Sequence, residues 1–118
     1  MESNFDTRQE RAVLVGLNAD CFKKEQTATD ETLEELEALL ETAGGFCTGK
    51  MLQNRHTPDP HSFIGEGKAL EVKMLAEATE ATMVVFDNEL SPGNIRALED
   101  MIGVTVLDRS ALIPTFKR

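Results

Sequence analysis

The stretch Arg11-Ala12-Val13-Leu14-Val15-Gly16-Leu17 decides the fold of this chain. It is apolar at nearly every position, whereas a strand with one face in water alternates apolar and polar residues. A nearly continuous apolar run of this length is typical of a parallel strand that is covered by helices on both faces. We therefore expect this stretch to be the first strand of a buried sheet.

Strand-like runs and helical patterns alternate along the rest of the chain. Three further strands are predicted at residues 46–53, 83–86 and 104–107. Three helices are predicted at about residues 30–43, 68–79 and 92–102, with Ser91 as the N-cap of the last. The order βαβαβαβ favours parallel strands and right-handed crossovers. We therefore predict an α/β fold whose four-stranded, mainly parallel sheet has the order 2-1-3-4 and carries helices on both faces.

Length and composition are those of one soluble globular domain. The 118 residues include 41% hydrophobic and 28% charged residues, which is ordinary for a globular protein. Residues 1–10 are polar, so no signal peptide is expected, and no apolar run approaches the roughly 18 residues that span a membrane, so no membrane partner is expected. Cys21 and Cys47 are expected to be reduced thiols in a cytoplasmic protein.

The charge of the chain is unevenly distributed. A net charge of −9 argues against a general nucleic-acid binder, which presents a basic face. Residues 20–43 contain eight acidic and two basic residues, whereas residues 50–73 contain four basic and three acidic ones. An acidic domain with a locally neutral to basic loop is therefore expected.

The run Phe63-Ile64-Gly65-Glu66-Gly67-Lys68 precedes the second predicted helix and is the most conspicuous candidate contact loop. Glycine permits a positive φ and close approach of a partner, and a helix start presents unpaired N–H groups. The run matches no nucleotide-binding fingerprint, because Ala69 replaces the Ser or Thr of a P-loop and Leu70 the last glycine of G-x-G-x-x-G. Its glycines either expose backbone to a phosphate or partner, or simply form a tight turn.

Polar side chains follow the ends of the predicted strands. Ligand-binding loops of parallel sheets lie at these carboxyl ends. Asp87 and Glu89 follow the third strand, and they could either serve as an acid/base pair or organise the next helix start. Arg109 follows the fourth strand and could pair with either carboxylate or contact a partner. Arg55, after the second strand, could contact a phosphate.

Neither a catalytic residue nor a metal ligand is expected. None of Ser62, Ser91 and Ser110 lies in a nucleophile-elbow context. His56 and His61 have no helix-face spacing and no additional Cys or His close to them in the sequence.

Four segments of the chain carry a resemblance to a known family. They are Pro58-Asp59-Pro60, residues 63–68, Val85-Phe86-Asp87-Asn88-Glu89-Leu90-Ser91-Pro92 and Val106-Leu107-Asp108-Arg109-Ser110. In order and spacing they are similar to the amino-terminal domain of the HflX family of ribosome-associated GTPases. The resemblance extends from Arg11 to about Ile113, and Arg96-x-Leu98-Glu99 fits the pattern of the third helix.

The resemblance implies a cytoplasmic, non-catalytic domain that binds rRNA of the large ribosomal subunit and contacts its own G domain. The family acts in ribosome splitting or rescue under stress. GTP and Mg²⁺ would belong to that G domain, so no cofactor is expected in this chain. The residues implied in RNA or partner binding are Arg55, Gly65, Gly67, Lys68 and Arg109. The residues expected to be structural at the sheet edge are Asp87, Glu89, Ser91 and Asp108.

The expected organisation is a disordered segment at residues 1–10, a single α/β domain at residues 11–113, and a tail at residues 114–118 that leads toward an absent linker and G domain. Two other functions remain open at this point. The chain could be a stand-alone module for a small anionic ligand, since a glycine turn at a helix start suits anions. It could also serve mainly as an intramolecular regulator of the G domain.

Overall fold

A computed structural model of the chain describes residues 10–112 as a parallel sheet with helices on both faces. The elements are β1 (Arg11–Ala19), α1 (Asp30–Thr42), β2 (Phe46–Arg55), α2 (Glu66–Ala78), β3 (Met83–Phe86), α3 (Pro92–Ile102), β4 (Thr105–Asp108) and α4 (Arg109–Leu112). All strand pairs are parallel, and the order is β2-β1-β3-β4. The predicted fold class and strand order are confirmed. The predicted terminal segment and the tail at 114–118 lie outside the described residues, apart from Glu10.

Strand β1 separates the two halves of the core. Val13, Val15 and Leu17 pack with α2 and α3 on one face of the sheet. Ala12 and Leu14 pack with α1 on the other face. All five side chains are buried, as the apolar run of this strand predicted. None of the helices between residues 10 and 112 combines the length and the hydrophobicity that a membrane-spanning segment needs.

The helix boundaries follow local capping chemistry. The Thr29 side chain accepts a hydrogen bond from the N–H of Thr32 and begins α1, and Ser91 accepts one from Asn94 and begins α3. Helix α2 begins two residues earlier than expected, because Gly65 adopts a φ of 87° and acts as its N-cap. Gly103, with a φ of 88°, ends α3.

Three elements differ from the expected ones. Strand β2 continues to Arg55, because β1 also extends to Ala19 and the two strand ends remain paired. Strand β4 begins at Thr105, one residue later than expected. The helix α4 was not predicted, since it has only four residues; its last residue, Leu112, packs with the α1 face of the core.

The sheet has two edge strands, β2 and β4, and the outer margins of these strands differ. Strand β2 has ten residues, and its outer side has no strand neighbour among the described residues. Strand β4 has four residues, and the N–H of Val106 donates to the Glu99 carboxylate at 3.0 Å. A helix side chain therefore occupies a bonding position that a further strand would need.

Candidate functional site

The polar residues after β3 lie at the switch point of the sheet. There the connections that leave the adjacent central strands β1 and β3 run in opposite directions. Asp87 and Asn88 follow β3 directly and are buried, whereas Glu89 is exposed. Ligands of open parallel sheets bind in the crevice outside such a switch point. This edge is therefore the first candidate site.

Asp87 is the centre of a buried ion pair. Its side chain is only 2% exposed, and Arg109 Nη2 lies 2.6 Å from Oδ1. Arg109 Nε donates to the same oxygen at 2.8 Å, while Thr32 Oγ1 donates to Oδ2. Arg109 Nη2 also donates to the carbonyl of Thr32 at 3.0 Å. Of the alternatives for Arg109, the structure thus contains the pairing with Asp87, which connects β3, α4 and α1.

Asn88 joins three segments at the same edge. Its Oδ1 accepts a hydrogen bond from the N–H of Leu17 at 2.8 Å, and its Nδ2 donates to the carbonyls of Leu17 and Gln26, each at 2.9 Å. The sequence predicted no role for Asn88. In the sequence Asn88 is an amide between two carboxylates at the end of a predicted strand. Its hydrogen bonds could not be predicted, because Leu17 and Gln26 are distant in the sequence.

The remaining residues expected to be structural differ in their contacts. Asp108 accepts hydrogen bonds from the N–H of Leu90 at 2.9 Å and from Ser110 Oγ at 2.6 Å. Ser91 caps α3, as described above. Glu89 has no hydrogen bond or ion pair with any residue in the described range, so its carboxylate is available to a ligand.

A cleft of about 540 Å³ lies above this edge. It is lined by Phe22, Glu25, Gln26, Phe63, Asp87, Asn88, Glu89 and Arg109. Phe22 and Phe63 are stacked with ring centroids 6.4 Å apart. The lining contains three carboxylates and one guanidinium, so it disfavours anions. Residues 18–28 were predicted to have no clear element, and therefore Phe22, Glu25 and Gln26 were missed.

The loop of residues 56–65 is the second candidate site, and Asp59 organises it. Its Oδ1 accepts hydrogen bonds from the N–H groups of Ser62 at 2.9 Å and His61 at 2.8 Å. These two backbone donors lower the pKa of Asp59 below its usual value. Asp59 and Phe63 also exchange two backbone hydrogen bonds, and Phe63 has a φ of 65°.

Two side chains connect this loop to the rest of the domain. Arg55 Nε donates to the carbonyl of Thr57 at 2.9 Å, and its Nη1 donates to the carbonyl of Ile64 at 3.2 Å. Asn94 Nδ2 donates to the carbonyls of Pro60 and His61 at 3.0 and 2.9 Å. The loop is therefore preformed rather than ordered by a partner.

The two glycines of the predicted contact loop have different roles. Gly65 has a positive φ, and a Cβ atom there would lie 2.7 Å from Arg55 Nη1. The fold therefore requires glycine at this position. Gly67 is exposed in the first turn of α2, and a Cβ atom there would meet no atom within 4 Å. The fold gives no steric reason for glycine at residue 67.

Four of the five predicted binding residues thus lie close together, and the fifth lies at the other site. Arg55, Gly65, Gly67 and Lys68 surround the start of α2, where Lys68 Nζ donates to Glu71 Oε1 at 2.9 Å. Arg109 belongs to the separate cluster around Asp87.

The histidines make separate contacts. His56 Nδ1 lies 2.6 Å from Asp20 Oδ2, and both side chains are exposed. The carbonyl of His61 accepts from Asn94. Within residues 10–112 no group of three or more His, Cys, Asp and Glu side chains could hold a metal ion.

Comparison with known families gives one match over most of the chain. Residues 30–114 match the family described as GTP-binding GTPase N-terminal. This range includes both candidate sites except Phe22, Glu25 and Gln26.

Several similar proteins bear the name GTPase HflX. The one from Lacrimispora saccharolytica is 35% identical over 105 residues, which are 89% of this chain and 24% of that protein. The one from Escherichia coli is 38% identical over 104 residues, covering 88% and 23%. The one from Thermofilum pendens is 43% identical over 81 residues, covering 69% and 19%. The chain therefore spans about a quarter or less of the length of these relatives.

A similar solved structure supports the fold. It is described as the crystal structure of SsGBP mutation variant G235P and aligns with a TM-score of 0.62 at 20% identity. The alignment covers 89% of this chain and 30% of that one.

Proposed function

Since the chain belongs to the HflX family of GTPases as its N-terminal domain, we propose that it is a non-catalytic ribosome-binding and regulatory domain. It contacts rRNA of the large subunit in the cytoplasm and takes part in ribosome splitting or rescue. GTP binding and hydrolysis, with Mg²⁺, belong to a G domain elsewhere in such a protein. The observation that carries the proposal is Gly67, an exposed helical glycine without a steric role in the fold.

Glycine loses more conformational freedom on folding than alanine does. In the middle of a helix this destabilises the protein by about 0.5–1 kcal/mol. A glycine at an open position is consistent with close approach of a partner to the backbone. Phosphate and ribose oxygens of RNA are suitable acceptors for the N–H groups of a helix start. The preformed loop of residues 56–65 would bind without the cost of ordering it.

The three predicted cations would contribute unequally. Lys68 pairs with Glu71 at the surface, and such pairs are worth only about 0–1 kcal/mol, so a phosphate could replace the carboxylate. Arg55 donates two hydrogen bonds and a guanidinium has five N–H donors, so it retains donors for a phosphate. Arg109 neutralises a buried carboxylate and would act by stabilising the neighbouring cleft.

The proposal is tested by pelleting the 118-residue chain with purified large ribosomal subunits at two salt concentrations. Phosphate contacts make binding salt-dependent, so the chain should pellet at low salt and be released at high salt. Gly67→Val and Lys68→Glu should each weaken pelleting. Lys24→Glu, on the 3-10 turn Lys24–Gln26, makes the same charge change at an exposed position outside the loop and should have little effect. Absence of pelleting at low salt, or equal losses in both lysine variants, would contradict the proposal.

The small-ligand function has one observation in its favour, the cleft at the switch point of the sheet. Its size suits a small molecule. However, its free carboxylates, Glu25 and Glu89, favour a cation or a neutral aromatic ligand over an anion. A thermal-shift screen with cationic, neutral and anionic metabolites distinguishes these classes. A stabilising shift that Glu89→Gln abolishes would support ligand binding at the cleft instead of ribosome binding alone.

A further inference from the structure

Helix α2 is apolar on two opposite sides. Its buried side is formed by Ala69, Val72 and Ala76, which pack against the sheet. Its opposite side carries Gly67, Leu70, Met74 and Ala78, all exposed. Spacings of three and four residues align these four positions along one side of a helix. We call these four residues the outer stripe.

The outer stripe includes the most exposed large apolar side chains in the described part of the chain. Leu70 is 56% and Met74 is 60% exposed. The two side chains are one helical turn apart and form a continuous apolar surface. Apolar residues scattered singly over a surface need no explanation, whereas two adjacent exposed ones can form the centre of a small contact surface.

The other long helices do not share this feature. The exposed side of α1 is dominated by Glu31, Glu34, Glu35 and Glu41. The exposed side of α3 carries Arg96 and Asp100. Helix α2 carries five charged residues among its thirteen, and they lie beside its two apolar sides. The outer stripe therefore offers a second contact side, whereas the outer sides of α1 and α3 are polar.

The shape of the outer stripe fits a second helix. The twelve residues from Gly67 to Ala78 extend about 18 Å along the helix, roughly three turns. The large side chains lie in the middle and the small residues Gly67 and Ala78 lie at the ends, which permits close approach of a straight partner. Rows of side chains at spacings of three and four residues are those that interdigitate between packed helices.

The charges beside the outer stripe define the partner further. At 100° per residue, Glu77 and Glu66 flank one side of it with Lys73 just beyond them, and Glu71 flanks the other, so the nearest charges are acidic. Lys68 already pairs with Glu71. A second copy packed antiparallel would place Glu66 near Glu77 of its neighbour, so like charges oppose self-association. Basic flanks on the partner would complement these carboxylates.

We propose that the outer stripe is a docking surface for an amphipathic α-helix of a partner protein whose flanks carry Lys or Arg. Leu70 and Met74 provide the apolar contact, Ala78 permits close approach at the C-terminal end of the stripe, and Glu66 and Glu77 select the charge. The surface is small for a stable complex, since stable interfaces bury at least about 1,200 Å² in total. The contact is therefore a weak or transient one, suited to regulation.

The test uses a synthetic amphipathic helix of about 16 residues with leucine on one side and lysine on the flanks. Titrated into the nitrogen-15-labelled 118-residue chain, it should shift the amide signals of α2 saturably. Leu70→Gln with Met74→Gln conserves charge and should weaken binding about tenfold or more, through lost apolar burial. A peptide with glutamate flanks and the same leucines should bind at least about tenfold more weakly than the lysine peptide. Ala38→Gln, at an exposed position of α1, is the matched control and should not change binding.

Two outcomes would overturn the proposal. Equal affinity of the double variant and the original chain would mean that general acidity, not the outer stripe, attracts the peptide. Sedimentation velocity that shows a dimer of the chain alone, abolished by the double variant, would assign the outer stripe to a second copy. Circular dichroism of the double variant should match the original, because both side chains are exposed.

Discussion

Arg109, in a helix of only four residues, neutralises Asp87, whose side chain is almost wholly buried at the end of a central strand. The pair connects the third strand to the last described helix, and through Thr32 to the first. Asp87 and Arg109 are distant in the sequence, and both line the cleft. The structure of this part of the cleft therefore depends on the guanidinium of Arg109.

Replacing Arg109 with alanine should therefore destabilise the domain. Removal of one partner from a buried ion pair leaves an uncompensated charge and costs about 3–5 kcal/mol. Urea unfolding followed by circular dichroism measures this loss. Arg96→Ala, at an exposed position of α3, should change the free energy of unfolding by no more than about 0.5 kcal/mol. A loss below about 1 kcal/mol for Arg109→Ala would show that Asp87 finds water or another partner.

The two loop glycines should respond oppositely to alanine. Gly65→Ala introduces a Cβ at positive φ and against Arg55, so a loss of at least about 1–2 kcal/mol is expected. Gly67→Ala has open space in a helix and should stabilise by about 0.4–1 kcal/mol. Thermal unfolding of both variants measures the sign directly. Destabilisation by Gly67→Ala would mean that the fold does require glycine at residue 67.

The contribution of Asp59 to loop structure should depend on pH in the acidic range. Backbone donors lower its folded-state pKa below 3.8, so its contribution is complete above that ordinary value. It is lost as the pH falls through the lowered folded-state pKa. NMR titration of the carboxyl carbon, together with the amide signals of His61 and Ser62, follows this change. An Asp59 midpoint at or above the ordinary value would contradict the observed hydrogen bonds.

The two thiols should differ in reactivity. Cys21 is exposed, whereas burial raises the pKa of the half-buried Cys47 above 9.0. Because the thiolate is the reactive form, a disulfide reagent such as DTNB should modify Cys21 quickly and Cys47 slowly at neutral pH. Cys21→Ser should remove the fast phase and leave the slow one. A fast phase that survives in this variant would show that Cys47 is more accessible than the structure indicates.

The fold was predictable because its signals are local. The apolar run of β1 indicated a strand covered on both faces, and Ser91 and Gly103 marked the ends of α3 within one residue. The end of β2 was missed by two residues, because its continued pairing with β1 is a contact between distant segments. The short helix α4 gives no periodic signal, since four residues complete little more than one turn.

The candidate sites were predictable only in part. The sequence placed Arg55 and residues 63–68 in a polar loop, but it could not indicate that Arg55 donates to that loop's own carbonyls. The wall of the cleft at Phe22 and Gln26 depends on Asn88, whose bonds join residues more than sixty positions apart. The spacing of Leu70, Met74 and Ala78 indicated an apolar seam on the second helix, but it could not indicate that this seam is exposed while another side of the helix faces the sheet.

The carboxylate of Glu99 at the N–H of Val106 limits how copies of this domain could polymerise. Open-ended fibre growth through strand pairing needs a pairing-competent edge strand at both margins of the sheet, because each added copy must present a free margin to the next copy. Among residues 10–112, the β2 margin carries no such bond from a helix side chain to its backbone. Two copies joined there would bury this margin in both, and growth would stop at a pair. We expect the bond between Glu99 and Val106 to disfavour the addition of a further strand at β4 in the folded domain.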